Sequence, residues 1–104
     1  MKYAIVIQDE AIDDAIEVWY WYESQQPGLG DRFEADLEAC YNYQETNHQH
    51  FQMYSPPFRK AHLNKFPYSV AYEIREVRMQ VIVFAVHAQK DDPKKIILRI
   101  MQQY

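Results

Sequence analysis

The stretch Lys65-Phe66-Pro67-Tyr68-Ser69-Val70-Ala71-Tyr72-Glu73-Ile74 decides how the chain is read. From Tyr68 to Arg75, Tyr68, Val70, Tyr72 and Ile74 fall on one face, and Ser69, Glu73 and Arg75 mainly on the other. A period of two is that of a half-buried strand. Upstream, Phe58–Asn64 sets Arg59, Lys60 and His62 among small and apolar residues and reads as a second strand. Downstream, Met79–His87 is apolar on both sides: Met79, Val81, Val83 and Ala85 on one, Ile82, Phe84 and Val86 on the other. Such a strand belongs in the middle of a sheet. The connections Phe66-Pro67 and Glu76-Val77-Arg78 are short, which favours antiparallel neighbours. The expectation is a three-strand meander ending at His87.

Working back from it, Lys2–Gln8 predicts a first strand, with Tyr3, Ile5 and Ile7 on one face. Asp9 is the expected N-cap of a helix running to about Gln26, and Glu10, Asp13 and Asp14 put negative charge at its positive end. Ala11, Ala15, Val18, Trp19 and Tyr22 recur at helical spacing as its buried stripe, with Trp21 off it. Pro27, Gly28 and Gly30 end that helix. A second helix is predicted from about Asp31 to about Asn47, burying Phe33, Leu37, Cys40 and Tyr41. So short a turn makes the two helices a hairpin over one sheet face. His48 to Pro57 reads as a solvated loop, and its two histidines are a weak metal pattern without a Cys partner. Asp92 and Pro93 start a last helix whose apolar side is Ile96, Ile97, Ile100, Met101 and Tyr104.

A chain of 104 residues with two glycines and abundant aromatics makes one packed domain, residues 1–104. The net charge is −4, so any grip on nucleic acid needs a local basic patch. A lone cysteine, Cys40, on a buried stripe is a small core residue and excludes an internal disulfide. No signal peptide and no run of membrane-spanning length is found, so the expected location is cytoplasmic, with no membrane partner. No cofactor and no metal is expected.

Three motifs carry a resemblance. Trp21-Tyr22-Glu23 followed by Pro27-Gly28-Leu29-Gly30-Asp31-Arg32-Phe33 is similar to the helix-hairpin signature of the RelE/ParE superfamily, the toxins of bacterial toxin–antitoxin systems. Phe66-Pro67-Tyr68 with Val70 and Tyr72 is similar to its sheet signature. Ala85-Val86-His87, then Lys90-Asp91-Asp92-Pro93 and Arg99, is similar to its usual ending. The resemblance implies an α+β fold: an antiparallel sheet with an N-terminal strand, a packed helical hairpin, a three-strand meander and a C-terminal helix. It is closest to the ParE-like, plasmid-stabilisation branch, whose members inhibit DNA gyrase. The RelE-like branch cleaves messenger RNA in the ribosome and generally has a more basic sheet face. The chain departs from the family at Lys90, where Arg is usual, and in its acidity.

Three readings follow: a ParE-like poison of DNA gyrase, a RelE-like messenger RNA endonuclease, and a non-toxic relative acting as a protein-binding or self-associating module, with a homodimer as one form. All three imply a cognate antitoxin laid on the sheet and hairpin. Only the second needs catalysis. Its residues would be His62 and His87 for proton transfer, with Arg59, Arg75 or Lys60 for charge around the phosphate. Lys60, Lys65, Tyr72 and Lys90 are the expected contacts for target or antitoxin. Alternation puts Lys60 and His62 on one face and Arg59 on the other, while the sheet is expected to curl Arg59, His62 and His87 into a common cavity. Alternatively, His87 bonds a neighbouring backbone group and the basic residues of the first meander strand protect a sheet edge.

Overall fold

The computed structural model describes residues 2–50 and 53–103. The elements are β1 (Ala4–Ile7), α1 (Asp9–Gln25), α2 (Leu29–Asn47), β2 (Met53–Ser55), β3 (Phe58–His62), β4 (Tyr68–Arg75), β5 (Gln80–Ala88) and α3 (Pro93–Met101). They form the expected α+β fold around one sheet of strand order β1-β5-β4-β3-β2. β3, β4 and β5 are the antiparallel meander. The sheet is mixed, however, because β1 lies parallel to β5, Val6 opposite Ile82. The physical reason is β2, in a stretch that reads as loop. Each element turns the chain back on itself, and the extra strand adds one reversal between β1 and β5. Strands that would otherwise oppose therefore align.

The helical hairpin covers one face of the sheet. Ala11, Phe33, Leu37 and Cys40 bury themselves against Val70, Tyr72, Val81, Val83 and Val86, with Ala15, Val18 and Tyr22 at the margin. These are the stripes that helical spacing marks out, except that Trp19 lies outside this core and its indole N–H donates to Asp31. The expected cap is displaced by one residue: Gln8 is the N-cap of α1 and makes no side-chain cap bond, while Asp9 and Glu10 lie in the first turn. Between the helices, the Glu23 carboxylate accepts the backbone N–H groups of Gly28 and Gly30. Gly28 takes φ +89°, and a Cβ on Gly30 would stand within 3.0 Å of the Trp19 backbone. The turn therefore needs both glycines.

The opposite face carries α3, whose Ile96 and Ile100 pack on Phe58, Ala71, Ile82, Phe84 and Ala85. Asp92 caps α3 by accepting Lys94 N–H, with Pro93 at the first position, as expected. Tyr104, expected on its apolar side, lies outside the described residues.

Strict alternation fails once in β5. Ala71 faces Ala85 but Tyr72 faces Val83, so Phe84 is an extra, bulged residue. Phe84 and Ala85 both turn towards α3, and Val86 returns to the hairpin side. The expected faces of Ala85 and Val86 are thus exchanged. Met79, expected in this strand, instead closes the preceding turn at φ +54°.

Asp14 stands at the bulge. Its Oδ2 accepts the Val86 N–H at 3.0 Å, and both carboxylate oxygens accept from the Arg99 guanidinium of α3. A residue that reads as a helix-start charge is a tether joining α1, β5 and α3. Asp14→Ala should cost about 2–3 kcal/mol, the range for a partly buried charged hydrogen bond lost with its partner stranded. The denaturant midpoint and faster Val86 amide exchange report it. Arg99→Gln should cost less and leave Val86 protected.

Candidate functional site

The bulge decides which side chains meet. After it, His87 faces α3 rather than the hairpin, opposite Ser69 of β4, which in turn stands opposite His62 of β3. His62, Ser69 and His87 form a row across three neighbouring strands, roughly 10 Å from first to last at a strand spacing of about 4.8 Å. His62 Nδ1 lies 2.5 Å from Ser69 Oγ. Lys60, two residues before His62, joins the row from the same face and acts electrostatically on both rings.

The two histidines differ in setting. His87 is 5% exposed, and burial pulls its pKa below the usual 6.5, against the weaker opposing influence of its bond to Ala88 and of Asp91. Its Nδ1 is 2.9 Å from the Ala88 carbonyl. A carbonyl only accepts, so Nδ1 carries the proton and, in the neutral ring, Nε2 holds the lone pair. His62 is exposed, and its pKa is also lowered, by desolvation and then by Lys60. Both rings are therefore disposed to be neutral near pH 7. Neutral imidazoles beside a hydroxyl and an ammonium can accept and relay protons.

The remaining candidates are elsewhere. Arg59 faces the hairpin side, opposite Tyr72, and its Nη1 reaches the Gln49 carbonyl. It does not share a cavity with His62 and His87, because strand alternation outweighs any curl of the sheet. Arg75 is on the same face as Ser69 but six residues along β4, roughly 20 Å away, and pairs with Glu73 at 3.4 Å. Tyr72, an expected contact residue, is fully buried under the hairpin, where its hydroxyl donates to the His48 carbonyl. His48, expected in a solvated loop, is buried too and stacks on Tyr3 at 4.0 Å. Lys65 and Lys90 are exposed near the end of the sheet that carries the row. The backbone N–H groups of Lys65 and Phe66 are fixed by the buried carboxylate of Asp36. Burial, then Asp36, raises the Cys40 thiol to about 12, consistent with an inert core residue. Ser69 is absent from the sequence-derived candidates. Its only signal is its register between two histidines, which appears once the strands are paired.

Charge is divided between the two faces. Asp9–Asn47, the hairpin, holds eleven carboxylates and a single cation, Arg32; the rest of the chain holds ten cations and four carboxylates. The net −4 thus hides an acidic helical side and a basic sheet side. Two of the sheet-side arginines are matched by carboxylates, Arg75 by Glu73 and Arg99 by Asp14. Among the described residues no group of His, Cys, Asp and Glu could hold a metal ion. Among them, too, no helix is long and apolar enough to cross a membrane.

No family model matches the sequence, and no curated protein matches it. Solved structures do. The chain is similar to a structure of the chromosomal ParDE toxin–antitoxin system from P. aeruginosa, at TM-score 0.71 and 15% identity, over 84% of this chain and 96% of that one. It is similar to a mutant of the E. coli toxin RelE in the free state, at TM-score 0.64 and 11% identity, over 99% and 98%. It also matches the RelBE2 toxin–antitoxin complex from Mycobacterium tuberculosis, at TM-score 0.60 and 12% identity, over 85% and 99%. The fold is that of the RelE/ParE toxins.

The setting of His87 makes a pH prediction. Its folded pKa lies below its unfolded value, so between the two only the unfolded chain binds the proton. Stability should fall as pH drops below about 6.5, by up to about 1.4 kcal/mol per pH unit for one proton. His87→Gln should flatten the denaturation midpoint between pH 7 and pH 5; an unchanged slope would assign the effect to another group.

Proposed function

We propose that this protein is the toxin of a type II toxin–antitoxin pair, that it poisons a protein target, DNA gyrase foremost, and that a cognate antitoxin neutralises it. The fold and the hairpin, sheet and terminal motifs support the class. The state of the arginines carries the choice of target. A site that cleaves a phosphodiester aims cations at the charge that develops there. On this sheet face Arg75 is held by Glu73 and Arg99 by Asp14, and Arg59 lies on the other face. Recognition of a protein surface needs no such array, and the exposed Lys65 and Lys90 can serve it. Induced expression should cause filamentation and DNA damage, and the purified protein should inhibit supercoiling by gyrase. Untouched supercoiling at high molar excess would remove gyrase as the target.

One observation favours a second reading, cleavage of messenger RNA in the ribosome: the row of His62, Ser69 and His87 beside Lys60. One neutral imidazole would take the proton of an attacking 2′-hydroxyl, and that proton, passed along the row by way of the Ser69 hydroxyl, would go to the leaving oxygen. Translation in a cell-free extract should then stop, with cuts at the ribosomal A site. His62→Ala, at an exposed position, should slow cutting by about 10²-fold or more without unfolding the chain. Equal cutting by wild type and variant would dismiss the histidine mechanism, and no cutting by either would dismiss this second reading altogether.

A further inference from the structure

Among the described residues, large apolar side chains stand exposed in line along two helices, α1 and α3, on opposite faces of the sheet. Ile12, Ile16 and Tyr20 recur every four residues along α1 and are 43%, 48% and 66% exposed. They edge a groove of about 510 Å³ between α1 and α2. Leu98 and Met101 of α3 are 66% and 56% exposed. At helical spacing they share a line with Lys94, on the side of α3 turned away from Ile96 and Ile100, which hold the helix to the sheet.

The two surfaces are opposite in charge. Glu34 and Glu38 wall the groove on the α2 side, in a hairpin whose single cation is Arg32. The helix α3 contains Lys94, Lys95 and Arg99 and no carboxylate. Arg99 is taken up by Asp14, whereas the ion pairs of the described residues involve neither of these lysines and neither of these glutamates.

We propose that the outer face of α3 of one copy of this chain docks in the hairpin groove of a second copy. Leu98 and Met101 then lie on Ile12, Ile16 and Tyr20, and Lys94 and Lys95 meet Glu34 and Glu38. The two lines match in length, roughly 12 Å on α1 and roughly 10 Å on α3. Rows at four-residue spacing, Ile12 to Tyr20 on one helix and Lys94 to Leu98 on the other, are the kind that interdigitate. Charge selects this pairing over its alternatives, since groove on groove opposes two acidic hairpins and α3 on α3 opposes lysine to lysine. Groove and α3 lie on opposite faces of the sheet, so the same two copies cannot return the contact. The association is therefore head to tail, with a groove free at one end and a helix free at the other. An interface between two short helical faces is at the small end of the range and hence weak, favoured by high concentration and low salt. The inference goes beyond the toxin reading and depends on neither target.

Sedimentation of the intact chain tests this. At about 0.01 M salt the average mass should climb with concentration past that of a dimer, and at about 1 M salt the association should weaken at least about tenfold. Ile16→Asp spoils the groove and keeps α3, while Leu98→Asp spoils α3 and keeps the groove. Both positions are exposed, so neither change enters the core. Each variant alone should be monomeric, and an equimolar mixture should form a one-to-one complex and nothing larger. Likewise, Glu34→Lys with Glu38→Lys in one chain, and Lys94→Glu with Lys95→Glu in another, should each abolish self-association and restore it when mixed. A monomer at every concentration, a dimer that does not grow, an Ile16→Asp or Leu98→Asp variant that self-associates alone, or mixtures that stay monomeric would each overturn the proposal.

Discussion

The carboxylate of Asp14 is where the layers of this protein are joined. β1 pairs with β5 only from Gln80 to Val83, so beyond that point the edge of β5 needs another acceptor. Asp14, reaching in from α1, supplies it at Val86. The same carboxylate draws Arg99 from α3, on the far side of the sheet. A buried backbone donor must be satisfied, and a partly buried carboxylate must be balanced. One side chain meets both demands, at the place where β5 changes phase. The bulge at Phe84 then has a function in the fold: it lets Ala85 face α3 and Val86 face the hairpin, and it brings His87 out on the side of His62.

Charge follows the same division. A sequence with net charge −4 does not look like a protein made to meet an anionic or basic partner in particular. Folded, it has an acidic helical side and a basic sheet side, because eleven of the fifteen carboxylates are placed before residue 50 and nine of the eleven cations after it. The acidity is therefore concentrated in the hairpin. The sheet side keeps a cationic balance, tempered where Glu73 and Asp14 take up arginines.

What the chain reveals unaided is considerable. The period of two in β4 and the helical stripes of α1 and α2 name the core residues that the structure buries, from Ala11 and Phe33 to Val70 and Val83. Asp92 and Pro93 mark the start of α3. These are local signals, written in the spacing of apolar residues and in the chemistry of caps, and they need no knowledge of distant neighbours. The likeness to RelE/ParE toxins is legible for the same reason, since its motifs lie on the turns and stripes that set the fold.

Other features are invisible until the strands pair. One inserted residue in β5 reverses the faces of everything after it, and no local pattern separates that bulge from continued alternation in a run apolar on both sides. β2 is three residues long, too short to show a period, yet it sets the direction of β1 against β5. Tyr72 and Arg59 read as surface groups and prove to face the hairpin. Asp14 reads as a helix-start charge and proves to bond residues 72 and 85 positions away. Composition and spacing determined which residues are buried and which segments are helix or strand, because burial and backbone preference act locally. Tertiary structure alone decided which polar groups meet, because register and long-range hydrogen bonding belong to pairs of segments and not to any one of them.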